Sequence, residues 1–247
     1  MKGTDFDQDQ FSEAYPPGIE RTWWQIARKA VVARAFERSV PRTERILEVG
    51  CGTGIVTHHL RACGWEAKGV ELGTPRQGIH AAEHLMLGAD ATALPADFRA
   101  GITVLALFDV IEHIADAPGF LRGLLAAYPN ARTVVVTVPA RQELWTTFDD
   151  HFGHFRRYDR PLLQQELEAA GLSPEWSAYF FHGLYAAIAL NNALRGRKRN
   201  VRFHAPAPGA ASAAHNAIGR LFALEAAVLP GGLAGSSIIA VARRAQS

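Results

Sequence analysis

The sequence predicts an α/β protein built on a mostly parallel β-sheet with helices on both faces. Three observations predict it. Short apolar or β-branched runs recur at 45–49, 66–72, 101–108 and 133–138. Stretches of helical periodicity separate them. A glycine turn, Gly50-Cys51-Gly52-Thr53-Gly54, leaves the first run and enters a helix. Strands that alternate with helices pair in parallel, because each helix carries the chain back across the sheet.

Each element has its own signal. From 19 to 40, Trp23, Ile26, Ala27, Ala30, Val31, Arg34 and Ala35 recur near helical spacing, and Pro41 stops the run. A strand at 45–49 leads into the glycine turn, and a helix at 55–63 is closed by Gly64. A strand follows at 66–72, then a helix at 75–87, a strand at 101–108 and a helix at 119–125. The β-branched run 133–138 ends at Pro139. The helix at 161–170 has its proline at the start and Gly171 just past its end. Beyond Leu172 the pattern changes. A strand at 176–181 and an apolar helix at 182–194 precede the basic run Arg195, Arg197, Lys198, Arg199 and Arg202. Residues 203–214, rich in Ala and Pro, read as a flexible loop, followed by a helix at 215–229 and a last strand at 237–242. Residues 1–18 read as loosely ordered up to Pro16-Pro17-Gly18. The division expected is an N-terminal helical extension (1–40), a main domain (41–180 with 236–247) and a helical insertion (181–235).

Composition narrows the function classes. A chain of 247 residues has room for one α/β domain with an insertion. A formal charge of +2 gives no argument for nucleic acid. The two cysteines, Cys51 and Cys63, suggest neither a disulfide framework nor a CxxC metal site. The N-terminus is acidic and polar without an apolar signal core. No apolar run reaches the roughly 18–20 residues that a membrane-spanning helix needs. A cytoplasmic location is the expectation.

A strand, a glycine turn and a helix make a nucleotide-binding device. Glycines permit positive φ and close ligand approach, and the helix start offers free N–H groups. The dinucleotide fingerprint G-x-G-x-x-G fails, because its third glycine would stand where this chain has Ile55. The phosphate loop fails too, since no Gly-Lys-Ser/Thr follows.

The spacing Gly50, Gly52, Gly54, with Glu48 before it, resembles motif I of class I S-adenosylmethionine-dependent methyltransferases. The resemblance implies a Rossmann-like, doubly wound, seven-stranded sheet, mostly parallel with an antiparallel last strand. It implies that the Gly50-Cys51-Gly52 backbone and Gly54 give the methionine half of the cofactor close access, while Glu48 favours its ammonium. Glu71, at the end of the second strand, would accept from the ribose hydroxyls, with Leu72 beside it. Gly88-Ala89-Asp90-Ala91-Thr92 resembles the adenine-binding turn of the family. There Asp90 would accept from the amino group and the Ala91 N–H would donate to the ring. Phe108, at the end of the 101–108 strand, completes the cofactor set.

Two further segments resemble acceptor-side elements of small-molecule members, notably the ubiquinone-biosynthesis type. Asp109-Val110-Ile111-Glu112-His113 matches one. Some relatives of that type hold a divalent metal at this spacing, here Asp109, Glu112 and His113. The first reading of Glu112 and His113, however, is as groups capping the next helix, with no metal. The second segment is Leu144-Trp145 through Asp149, Gly153, His154, Arg156, Arg157 and Tyr158, accompanied upstream by Trp23, Trp24 and Arg28. Transfer to a hydroxyl needs a base. His154 is the candidate, oriented by Asp149; a structural network that locks the loop is the equal alternative. Trp24, Arg28, Asp109, His113, Arg156 and Tyr158 are the candidate acceptor contacts.

The activity this implies is methyl transfer from S-adenosylmethionine to a small molecule, on oxygen ahead of nitrogen or carbon. A non-catalytic binding subunit is the rival from another class; the intact cofactor set argues against it. Base-modifying enzymes commonly carry an Asn/Asp-Pro-Pro-aromatic motif that this chain lacks, so no nucleic-acid partner is expected. The insertion reads as an acceptor cover. Peripheral membrane contact through 180–202 is a further reading. The oligomeric state, monomer or homodimer, is left open.

Overall fold

A computed structural model describes residues 13–75, 78–199 and 203–245. Seven strands form one sheet: β1 (Arg45–Val49), β2 (Glu66–Glu71), β3 (Leu85–Leu87), β4 (Val104–Phe108), β5 (Thr133–Pro139), β6 (Leu172–Phe180) and β7 (Ser237–Arg244). Their order is β3-β2-β1-β4-β5-β7-β6. The pairs β1–β2, β1–β4, β2–β3 and β4–β5 are parallel, and β7 runs antiparallel to β5 and β6. This is the Rossmann-like, seven-stranded sheet that the sequence led us to expect.

The central strands are apolar on both faces because helices cover both. Alternation sorts their side chains. Leu47, Leu105, Leu107, Val134, Val136 and Ile238 pack on one face, against Leu121, Leu124, Leu163 and Leu167. These four belong to α4 (Ala117–Ala127) and α6 (Arg160–Ala169). Ile46, Val104, Ala106, Phe108, Val135 and Ile239 pack on the other, against Val32, Phe36, Val56 and Leu60. Here the helices are α1 (Trp23–Ser39) and α2 (Ile55–Ala62). The parity of β4 therefore turns Phe108 into the core.

α1 begins one turn later than the periodicity suggests. Ile19–Arg21 forms a separate 3-10 turn, and the Thr22 side chain accepts from Gln25 N to cap α1. Two further expectations fail. Among the described residues, 75–87 form no α-helix: a 3-10 turn at Ala82–His84 leads into β3, which pairs Leu85–Leu87 with Gly69–Glu71. Gly78 and Ala81 take positive φ of 66° and 53°, which breaks helical propagation, and β3 gives β2 a partner. Nor is 203–214 a loop throughout. α8 (Ala210–Val228) starts inside it, because the alanine run is a strong helix former once the prolines are passed. The sequence also gave no hint of the short helix α3 (Ala96–Ala100). α5 (Thr147–His151) and α7 (His182–Arg195) complete the set.

Between β6 and β7, α8 folds back over α1, while α7 packs on the 3-10 turn Gln142–Leu144. Gly219 lets α8 approach: a Cβ there would lie 2.7 Å from Ile26 Cβ and 2.8 Å from the Trp23 carbonyl oxygen. Strand order reverses between β1 and β4, so a crevice opens at the carboxyl ends of these strands.

Candidate active site

The crevice is a cavity of about 570 Å³. One end is lined by Val49, Gly50, Gly52, Glu71, Leu72 and the Ala89–Thr92 turn. The other is lined by Trp24, Arg28, His113, His154 and residues of α7 and α8.

The glycine turn shapes the first end. Gly50, Gly52 and Gly54 have φ of 73°, 55° and 80°, a region that side chains disfavour. A Cβ on Gly50 would lie 2.8 Å from Val110, and one on Gly52 2.8 Å from the Tyr15 ring. Gly54 is the N-cap of α2 and packs on the His80 carbonyl, away from the cavity lining. The Glu71 carboxylate accepts from Gly52 N at 2.8 Å and Gly73 N at 3.0 Å, which fixes it at the cavity edge. Asp90 caps the turn after it, accepting from Thr92 N at 2.7 Å. Ala91 and Leu72 also line this end.

Three residues expected at the cofactor are placed otherwise. Glu48 is buried and accepts from the Thr57 hydroxyl of α2; burial pushes its carboxyl up to about 7. The Cys51 thiol packs under Gly69, where burial raises its pKa well above the usual value. Phe108 sits in the core against Phe36; its carbonyl accepts from Arg28 at 3.1 Å, and the Arg28 guanidinium lies 5.8 Å from its ring centre.

At the centre lies an ion pair. Arg28 Nη2 is 2.6 Å from Asp109 Oδ2, and the guanidinium stacks 5.0 Å from the Trp24 ring centre. Asp109 holds the unusual φ of 59°, fastened by its N–H to the Thr137 carbonyl and by the Thr137 hydroxyl to Oδ1.

The acceptor end is built around Asp149. It caps α5 by accepting from Thr146 N, and its Oδ1 accepts from Arg157 Nε and His154 Nδ1, both at 2.8 Å. Burial alone would raise this carboxyl, but the bonds from His154 and Arg157 hold it at about 2. An ionised Asp149 keeps the proton on His154 Nδ1 and leaves Nε2 as the acceptor nitrogen. The His113 ring lies 4.7 Å from that of His154. Its Nδ1 pairs with the Phe152 carbonyl, and burial pushes its pKa down to about 4.

Glu112 is buried, and among the described residues its Oε2 has no hydrogen-bond partner; burial and then Asp109 raise its carboxyl well above the usual range. Among the described residues, Glu112, His113 and His154 bring one donor atom each to within 4.8 Å of one another, a set suited to a divalent transition metal. The sequence grouped Glu112 and His113 with Asp109 instead, but Asp109 is engaged by Arg28.

Two expected acceptor contacts face elsewhere. Arg156 pairs with Glu166 at 2.8 Å and donates to the Ala115 carbonyl. Tyr158 is fully buried, its hydroxyl 2.8 Å from Glu166 Oε2. They clamp α6 to the site loop rather than line the cavity. Conversely, Tyr15, Leu184, Ile188, Phe203 and His215 line the cavity without having been singled out. They lie in the N-terminal segment and the insertion, which carry no motif.

Fold and site define a class I methyltransferase, with a glycine turn at β1, an acidic end to β2 and a capped turn after β3. The family described as a methyltransferase domain matches residues 24–175, and the chain belongs to it. S-adenosylmethionine is the methyl donor of this family. Similar solved structures include magnesium protoporphyrin IX methyltransferase from Synechocystis PCC 6803 with bound S-adenosylhomocysteine. It is 13% identical, with 90% of this chain and 82% of that chain covered and a TM-score of 0.51. Another is a chain of the Haloferax volcanii complex between the Trm112 methyltransferase activator and a methyltransferase. It is 14% identical, with 97% and 98% covered and a TM-score of 0.56. No curated protein sequence matches the chain.

Proposed function

We propose that the protein transfers a methyl group from S-adenosylmethionine to a hydroxyl of a small, largely apolar molecule. The observation that carries this reading is the Asp149–His154 pair, which puts an oriented histidine into the cavity bounded at its far end by the glycine turn.

The residues present fit the cofactor. Gly50 and Gly52 bring bare backbone to the cavity, where a Cβ would collide with Val110 and Tyr15; Glu71 at the end of β2 would take the ribose, and the Asp90–Ala91 turn the adenine. Glu48, held by Thr57, and Cys51, packed under Gly69, support the turn from beneath. When bound, the cofactor supplies a methyl group already activated on a sulfonium. The protein aligns the acceptor and excludes water. His154 Nε2 takes the hydroxyl proton, and Asp149 stabilises the imidazolium that forms. Trp24, Phe148, Phe152, Leu184, Ile188 and Phe203 supply an apolar wall suited to a flat or hydrophobic acceptor. The described residues of the 181–235 stretch, through Leu184, Ile188, Phe203 and His215, form the cover.

Turnover of candidate phenols with His154→Ala and wild-type protein tests the assignment. Loss of methyl transfer with cofactor binding retained supports it. Undiminished turnover, or equal loss of both, refutes it.

A further inference from the structure

The cover has two faces with opposite duties. Its inner face meets the cavity through Leu184, Ile188 and His215. Among the described residues, its outer face has no partner. On α8, Ile218, Leu221, Leu224 and Val228 recur at helical spacing and stand 42, 65, 57 and 69% exposed. On α7, Leu190 and Leu194 repeat the pattern at 61 and 73%. The two helices are joined where Gly183 N donates to Glu225 Oε1 at 2.6 Å. Single exposed leucines are ordinary, but two helices of one cover with unpaired apolar stripes mark an interaction surface.

Charge selects the occupant. Residues 181–235 carry six Lys/Arg (Arg195, Arg197, Lys198, Arg199, Arg202, Arg220) and one carboxylate, Glu225. The rest of the chain carries 20 Lys/Arg against 23 Asp/Glu, so the cover is the cationic part of an otherwise slightly acidic protein. Arg220 stands within the α8 stripe, and Arg195, Arg197 and Lys198 directly follow the α7 stripe, all exposed. A two-fold contact between copies would set these cations against themselves. An interface of anionic headgroups over acyl chains satisfies both the apolar and the cationic groups.

We propose that the outer faces of α7 and α8 rest on an anionic phospholipid surface, with the mouth of the acceptor cavity held beside the bilayer. Among the described residues no helix is long and apolar enough to cross a membrane, so the contact is peripheral. The surface stands whether or not His154 is the base.

Co-sedimentation with phosphatidylcholine vesicles, with and without phosphatidylglycerol, tests it. The full chain is expected to bind only the anionic vesicles. Arg195→Gln with Lys198→Gln should weaken binding roughly thirtyfold at low salt. Leu221→Glu with Leu224→Glu should abolish it, with S-adenosylhomocysteine affinity and Tm retained, since both side chains point to solvent. Absence of wild-type binding overturns the proposal. So does binding unchanged in both double variants, or a dimer in solution that the Leu221 and Leu224 changes dissociate without any vesicle binding.

Discussion

His154 Nδ1 lies 2.8 Å from Asp149 Oδ1, and that same oxygen accepts from Arg157 Nε. One buried carboxylate thus sets the tautomer of the histidine and fastens the loop after α5. The two duties separate by mutation. His154→Ala should lower turnover by about 10²–10⁴-fold and leave S-adenosylhomocysteine affinity nearly unchanged. Asp149→Asn should lower both turnover and Tm, because it also weakens the α5 capping box and the bond to Arg157. Thermal scans beside steady-state rates distinguish the pair.

Burial raises Glu48 to about 7. A carboxyl whose pKa is raised in the folded state binds its proton more tightly there than in the unfolded chain. Stability is then highest below the ordinary carboxylate pKa and falls as pH rises through about 7. Glu48→Gln should remove that slope and stabilise the free protein at pH 8 by up to about 2–3 kcal/mol. Denaturant melts across pH 5–8 of the wild type and the variant check it.

Arg28 and Asp109 form an ion pair at 2.6 Å, with side chains 9% and 27% exposed. Removing one partner strands the other. Arg28→Met should cost roughly 3 kcal/mol, less than the full penalty of a dry pair because Asp109 is partly wet. The double variant with Asp109→Asn should recover part of that loss, measured as a coupling energy from urea midpoints.

Gly54 combines a φ of 80° with a Cβ position 2.6 Å from the His80 carbonyl oxygen, which is backbone and cannot swing aside. Gly54→Ala should destabilise by about 2 kcal/mol or more. Gly171 also has positive φ, at 82°, but nothing lies within 4 Å of its Cβ position. Gly171→Ala should therefore cost only the conformational strain, about 1 kcal/mol. Urea midpoints of the two variants compare the effects.

The parts of the fold legible in the sequence were those where a local pattern and its burial agree. β1, β4 and β5 are apolar runs covered on both faces, and the glycine turn declares its own geometry. The helix expected over 75–87 failed because β3 is only three residues long and owes its existence to the edge of β2. Phe108, Arg156 and Tyr158 were misplaced for another reason. Motif spacing names positions on the chain, while strand parity and the partner Glu166 decide which way each side chain turns. The cover residues Leu184, Ile188, Phe203 and His215 have no local signature, since tertiary packing of α7 on the 142–144 turn and of α8 on α1 brings this stretch to the cavity.

If the glycine turn, Glu71 and the Asp90 turn hold the methyl donor, titration calorimetry with S-adenosylhomocysteine on wild-type protein and on Glu71→Ala and Asp90→Ala reads their contribution. The wild type should show saturable one-to-one binding, and each variant a loss of about tenfold or more, as for a lost hydrogen bond to a charged group. No binding by the wild type, or equal affinity in all three, would contradict that assignment.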